Sequence, residues 1–385
     1  MESPSTPVVT SEPRSAYLHV PFCSQRCGYC NFTLIANRPD LVDRYLLALD
    51  RELSWLGSSR EVDTLFIGGG TPTYLSGSEL ERLLDIALVW FRPAPGYEFT
   101  VEANPSGLDA DRIAVLAEHG VTRLSLGAQS FHEAKLRVLE RDHSPGDIET
   151  SVRLARAQNL AVSLDLIFAA PGESMEMWRR DLELALHLAP DHLSTYGLTW
   201  ERGTTFWGRR LRGELAQLGE EVERSMYAEA IDRLTTAGFD HYEVSNFARP
   251  GRRCRHNEVY WAGLPYYAAG PGAARYVHGR REVNHRSTTT WMSRVLAGRT
   301  PVGDSEELCG EDRAREMLVL GLRRLEGVSR AAFQRTTGYE IEQLTGGMLA
   351  RYVELGLLDD RDGCVRLTRE GLFVSDGIWP DFLRA

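Results

Sequence analysis

Three cysteines, Cys23, Cys27 and Cys30, lie in the spacing C-x3-C-x2-C within "YLHVPFCSQRCGYCNF" (17–32), directly after an apolar run that reads as a strand. Cysteine binds metal as the thiolate, and three on one short loop can converge on a single small object. A zinc site takes a fourth protein ligand. The nearest candidate, His19, sits inside the strand and not at ligand spacing after the loop. A [4Fe–4S] cubane has four irons, so three thiolates can hold it and leave one iron open to a ligand from outside the chain.

Ligands on a loop need a scaffold. Short apolar runs at 16–20, 64–69, 98–103, 123–128, 162–168 and 192–198 predict buried strands. Between them, 40–56, 77–91, 109–120, 146–160 and 175–189 carry apolar residues at i, i+3, i+4 and i+7, the pattern of amphipathic helices. Regular alternation of the two predicts right-handed βαβ units, hence an α/β fold built as an open, incomplete (β/α)6 barrel. In barrels of this kind chemistry sits at the C-terminal ends of the strands. The unusual polar groups obey that rule: the cysteines follow strand one, "GGGTPT" (68–73) follows strand two, Glu102 and Gln129 end strands three and four, Asp165 lies on strand five, and "YGLTWERGT" (196–204) follows strand six.

The rest of the chain divides by composition. Residues 1–14 are polar, rich in Pro and Ser, and expected to be disordered. Residues 15–200 hold the barrel and 201–304 extend it, while 305–385 show helical patterns and a hairpin that together predict a winged-helix-like module. That module has 15 acidic against 11 basic residues, its hairpin tip reads "DDRD", and the whole chain carries a net charge of −10. A phosphate-binding surface needs the opposite sign, so no nucleic-acid partner is expected. The start lacks an apolar h-region, and no run of about 18 uncharged apolar residues occurs, so neither secretion nor a membrane span is expected and the location reads as cytoplasmic. In that compartment thiols stay reduced, and the six cysteines are not read as three disulfides. Lys135 is the one lysine in a chain whose other basic residues are arginine.

These motifs carry a resemblance. The cysteine spacing with the glycine run resembles the radical S-adenosylmethionine (SAM) superfamily. "YLHVPFCSQRCGYCNF", "GGGTPT", "VEANP", "RLSLGAQS", "LERDHS", "HLSTYGLTWERGT", "HYEVSNFA", "CRHNEVYW" and "GPGAARY", spanning residues 16 to 276, are similar to the anaerobic coproporphyrinogen III oxidase-like family and its heme-chaperone (HemW) branch. The resemblance implies that Cys23, Cys27 and Cys30 hold a [4Fe–4S] cluster whose open iron takes the amino and carboxylate groups of SAM. It further implies SAM contacts from Tyr17, Tyr29, Gly69, Gly70, Thr71, Glu102, Gln129, Arg141, Asp165 and Thr199. Where the family reads D-L-I-x-G-L-P-G-Q, this chain has "DLIFAAPGE", with Ala169, Ala170 and Glu173 in place of Gly, Leu and Gln. A methyl there is expected to tighten the pocket.

One position separates the branches. The oxidase branch has a fourth cysteine two positions after the third, where this chain has Phe32; the chaperone branch has an aromatic there and carries H-N-x-x-Y-W, present here from His256 to Trp261. The resemblance therefore implies a heme chaperone that binds the cluster, SAM and heme and delivers heme to an acceptor protein. An oxygen-independent coproporphyrinogen III oxidase using SAM radical chemistry is the alternative. A methyltransferase or heme-degrading enzyme on the same scaffold would need an acid, base or further cysteine that the motifs do not supply. Heme needs an axial ligand, an apolar face and cations for its propionates. "ARPGRRCRHNEVYW" offers His256 and Cys254 as ligands, Tyr260 and Trp261 as packing surface, and Arg249, Arg252, Arg253 and Arg255 as carboxylate partners. SAM cleavage, peripheral membrane contact and a homodimer stay open.

Overall fold

The computed structural model describes residues 12–383. Of the segment expected to be disordered, residues 1–11 lie outside the described residues, whereas Arg14 pairs with Glu61 and Asp63 at 2.6 and 2.8 Å and Glu12 accepts from the Tyr267 hydroxyl.

Six parallel strands follow one another across a sheet: β1 (Ser15–Val20), β2 (Arg60–Gly69), β3 (Phe91–Ala103), β4 (Arg123–Gln129), β5 (Ala161–Phe168) and β6 (His192–Gly197). Three further strands, absent from the sequence expectation, extend the edges. β7 (Asp240–Glu243) and β8 (Asn246–Ala248) form a hairpin whose β8 lies antiparallel to β6, and β9 (Tyr267–Ala269) lies parallel to β1. The sheet, in the order β9-β1-β2-β3-β4-β5-β6-β8-β7, does not close.

Strand alternation explains what each face does. Ala16, Leu18 and Val20, then Leu65 and Ile67, Phe99 and Val101, Leu124 and Leu126, and Val162, Leu164 and Leu166 are all buried against the surrounding helices. The alternate positions are polar or aromatic: Tyr17 and His19, Thr64 and Phe66, Glu98, Thr100 and Glu102, Arg123 and Ser125, Ser163 and Asp165, His192, Ser194 and Tyr196. The barrel interior is thus built to meet a ligand, not to be an oil-filled core. The helices outside start where local chemistry dictates. Ser76 with Glu79 and Ser144 with Asp147 form reciprocal capping boxes, and Asp109 and Ser174 cap two more helices by accepting backbone N–H groups.

The single lysine is buried at the C-terminal ends of β4 and β5. Lys135 Nζ lies 2.5 Å from Glu173 and 2.9 Å from Asp181, and all three side chains are shielded from water. Asp181 also accepts from Ser130 and the Phe131 amide, and Glu173 accepts from the Ala170 amide at 3.0 Å. Glu173, in place of the family's glutamine, therefore gives the buried ammonium a second carboxylate.

The C-terminal segment packs a three-stranded sheet (Val328–Ser329, Cys364–Leu367 and Leu358–Arg361) among helices including Gly310–Leu322 and Arg330–Thr337. One of the helical patterns expected within 305–385 runs over 340–358, and it is not one helix. It breaks into Ile341–Thr345 and Met348–Glu354 at Gly346, whose φ of 54° ends the first piece.

Ala169 and Ala170 face away from the barrel cavity into apolar clusters, so the expected tightening does not occur. The cost of Ala169 is conformational: its φ is 61°, a left-handed geometry that suits glycine. Relief of about 1–2 kcal/mol of strain outweighs about 0.8 kcal/mol for a lost buried methyl. Ala169→Gly is expected to stabilise the protein by up to about 1 kcal/mol, seen as a higher urea midpoint at unchanged slope. A lower midpoint would contradict this.

Candidate functional site

The cysteine loop is held at both flanks and clamped from beneath. Its entry pairs Phe22–Cys23 with Ile35–Ala36, and its turn is closed by the Cys30 amide donating to Cys27 O at 3.0 Å. Arg26 Nη2 donates to Leu34 O, which ties the loop to its own exit. The segment after β4 then fastens it to the barrel: Ser24 donates to Asp142 at 2.7 Å, Gln25 to Glu140 O at 2.7 Å, and Arg141 Nη1 to Cys27 Sγ at 3.5 Å. Arg141 Nη2 meanwhile donates to Asn104 and Gly127 O, so one guanidinium joins the loop to the ends of β3 and β4. Gly28 packs so close to Phe206 that a Cβ would lie 2.4 Å from its ring.

Beside the loop, the glycine run turns over a carboxylate. Glu102 accepts from the Gly69 amide at 2.9 Å, and Gly69 has a φ of 110°. A Cβ on Gly70 would lie 2.6 Å from Phe22 O, so this strand end can approach the loop only without a side chain. His19 is not free to bind metal: Nδ1 faces the Tyr17 hydroxyl at 3.0 Å and Nε2 faces Thr33 O at 2.7 Å, while burial lowers its pKa to about 4.

These groups surround one cavity of about 560 Å³. Its lining includes Cys23, Cys27 and Cys30 together with Tyr29, Gly69, Gly70, Thr71, Glu102, Gln129, Arg141, Asp165 and Thr199. Tyr17 is not part of the lining; it stands deeper on β1, bonded to His19 and packed near Phe66 and His256. Asn104, Asp142, Tyr196, Glu201 and Arg286 also line the cavity and were not singled out from sequence. Asn104 and Asp142 lie inside quoted motifs, and Tyr196 is on the inward alternation of β6, so each left a trace. Arg286 arrives from a distant segment and left none.

The donor set fits a cluster better than a single ion. Three thiols of one loop line this cavity, and His19, bonded at both ring nitrogens, is no fourth ligand, so the set suits a cubane that takes three protein thiolates. They sit at the edge of a cavity rich in polar groups. Burial raises the pKa of the Cys23 thiol to about 11 and those of the two floor carboxylates, Glu102 to about 7 and Asp165 to about 6. Asp165 is partly relieved by hydrogen bonds from Ser194 and Ser125, and Glu102 by the Gly69 amide. Two desolvated carboxylates without a paired cation favour a ligand that brings positive charge and hydroxyl donors, while Arg141 offers positive charge on the opposite wall.

The residues proposed as a heme seat are at the other end of the strands. Cys254 begins the short helix Arg255–Trp261, which closes the barrel foot. Glu98 accepts from the amides of Arg255 and His256 and lies 3.1 Å from Arg123 Nη2, and Cys254 Sγ points at it from 3.7 Å. His256 Nδ1 meets Thr64 Oγ1 at 2.9 Å and Nε2 meets the Tyr260 hydroxyl at 2.8 Å. Burial lowers the His256 pKa to about 3 and raises that of Cys254 to about 12. With both ring nitrogens bonded and the thiol held protonated, neither His256 nor Cys254 presents an exposed axial ligand in this structure. The arginines are likewise engaged: Arg249 with Ala237 O, Arg252 with Asp191, Arg253 with Asp240 and Glu326, and Arg255 with Gly96 O. Tyr260 and Trp261 alone of this group face a second cavity.

Fold and site together define a radical SAM protein: residues 17–185 match the radical SAM superfamily and residues 308–374 match the HemN C-terminal domain. The chain is 35% identical to heme chaperone HemW of Bacillus subtilis over 96% of this chain and 99% of that one, and 33% identical to heme chaperone HemW of Escherichia coli over 98% and 100%. It is also 35% identical to a mitochondrial radical S-adenosyl methionine domain-containing protein 1 of Danio rerio, over 96% of this chain and 86% of that one. Among solved structures, coproporphyrinogen III oxidase (HemN) of Escherichia coli superposes with a TM-score of 0.85 at 22% identity, covering 98% of this chain and 91% of that one. The chain belongs to the HemW family of radical SAM proteins.

The floor carboxylates make a pH test. A sulfonium ligand prefers Glu102 and Asp165 ionised, and both must lose protons whose pKa values burial has raised. SAM affinity of the cluster-loaded protein is therefore expected to rise about tenfold or more from pH 6 to pH 8. Isothermal titration calorimetry at several pH values checks it, and an affinity independent of pH would remove the carboxylates from the site.

Proposed function

We propose that this chain is a heme chaperone which holds a [4Fe–4S] cluster on Cys23, Cys27 and Cys30, binds SAM in the adjoining cavity, and carries heme for delivery to an acceptor protein. The observation that carries the reading is the identity of 33–37% to heme chaperone HemW proteins over nearly the whole chain. When bound, the cluster supplies an open iron for SAM and an electron to its sulfonium. The chain's own part is placement. Arg141 fixes Cys27 and the rim, the glycine run gives backbone access, and Glu102, Asp165, Gln129 and Thr199 present acceptors around the space a nucleoside would fill.

Phe32 separates this reading from porphyrinogen oxidation. It stands at the cavity mouth, two-thirds exposed, where the oxidase branch has a cysteine. No thiol is available at that position for a further reactive group. The likeness to coproporphyrinogen III oxidase is one of fold. A cytoplasmic setting and a protein acceptor belong to the same proposal; among the described residues no helix is long and apolar enough to cross a membrane.

Anaerobic reconstitution with iron and sulfide tests the proposal. The loaded protein is expected to bind hemin and pass it to an apo-hemoprotein, while each of Cys23→Ser, Cys27→Ser and Cys30→Ser fails to retain a full complement of iron. With SAM and a reductant it is expected to leave coproporphyrinogen III unchanged. Conversion of coproporphyrinogen to protoporphyrinogen would overturn the chaperone reading in favour of the oxidase.

A further inference from the structure

We propose that heme sits not at His256 but in a groove between the Arg255–Trp261 helix and the C-terminal segment, with Met317 as the iron ligand and Arg313 as a propionate partner; this rests on the heme-chaperone reading. The groove has a volume of about 430 Å³, and its walls are Tyr260, Trp261, Tyr266 and Tyr276 on one side and Met317 and Leu320 on the helix Gly310–Leu322. Four aromatic rings facing an aliphatic wall suit a flat apolar ligand better than a chain or a sugar. The rings are already braced: Tyr260 meets Tyr266 edge-on at 4.7 Å, and its hydroxyl is held by His256. Trp261 Nε1 is shut off from solvent and has no hydrogen-bond acceptor, and Arg323 covers its ring at 4.6 Å.

Charge selects the kind of flat ligand. Arg281 is occupied, bonded to Glu316 through both terminal nitrogens and to Glu306. Arg313 is different: among the described residues it makes no ion pair, and its guanidinium rests over the Tyr276 ring at 5.7 Å at the groove wall. A half-buried arginine without a carboxylate partner fits an anionic edge group, and a macrocycle with propionates offers one. Met317 supplies a soft donor of the kind that ligates heme iron. It packs against Gly263, where a Cβ would lie 3.1 Å from Met317 Cγ and φ is 62°, so the turn after the helix leaves the thioether side chain room at the groove.

This arrangement gives the H-N-x-x-Y-W string two faces. His256 closes the barrel foot, and one helical turn later Tyr260 and Trp261 form the groove wall, joined by the His256–Tyr260 hydrogen bond.

Hemin and its dimethyl ester, titrated separately into the full-length cluster-loaded protein, test the assignment. Arg313→Glu is expected to weaken hemin binding about tenfold and to leave the uncharged ester unaffected, a difference that a folding defect would not produce. Leu264→Trp, at an exposed position on the groove rim, is expected to weaken both, and Met317→Leu to shift the Soret band. Absence of hemin binding in the unmodified protein would overturn the heme-chaperone reading itself. Hemin affinity unchanged by both Arg313→Glu and Leu264→Trp would overturn the groove and leave that reading standing, and a Soret band unmoved by Met317→Leu would remove the thioether as ligand.

Discussion

Glu98 decides which end of the barrel is open. It lies midway along β3, almost wholly buried, and gathers the Arg123 guanidinium, the amides of Arg255 and His256 and the Cys254 thiol around one carboxylate. Removing either member of the Glu98–Arg123 pair would leave the other charge in an apolar setting, at a cost of about 3–5 kcal/mol. The pair anchors the plug formed by residues 254–261, so the six strands can open only at their C-terminal ends. An open sheet with a polar interior becomes a cavity with one mouth.

At that mouth the structure spends strain and buried charge on position. Gln129, Glu140 and Ala169 all hold positive φ, and all lie at the ends of β4 and β5 or on the segment that clamps the cysteine loop. Such geometry persists only where the surroundings over-determine it. Here they do, because Lys135 draws Glu173 and Asp181 together and so fixes the turns after both strands. Arg141 then transmits that order to Cys27. The cysteine loop is therefore held through contacts made more than 100 residues away in the chain.

The two cavities divide the two chemistries of the proposed function. One lies at the rim with thiols, carboxylates and glycines; the other lies behind the barrel foot with aromatic rings and Arg313, which makes no ion pair among the described residues. Between them lies a packed column in which Tyr17 and Phe66 stand beside His256, and His256 bonds to Tyr260. Histidine in that column is neutral, since burial holds its pKa near 3, and it acts as a fixed hydrogen-bonding bridge.

The sequence by itself determined the six barrel strands, the helices between them and the rim they share, because a sheet covered by helices forces apolar residues onto every second position and leaves chemistry to the strand ends. Cys23, Cys27 and Cys30 were legible for a similar reason: a loop spacing is local and survives folding unchanged. The fate of His256 and Cys254 was not legible, since a polar side chain in a motif has the same letters whether it faces solvent, a ligand or a buried Glu98. The break at Gly346 could be read only weakly against a continuing apolar period. Arg286 in the rim, Lys135 between two carboxylates, and the meeting of Trp261 with Met317 were decided by tertiary structure alone. Each depends on strand register and on which helix lies against which edge, and those are set by the packing of the whole chain, not by any neighbourhood within it.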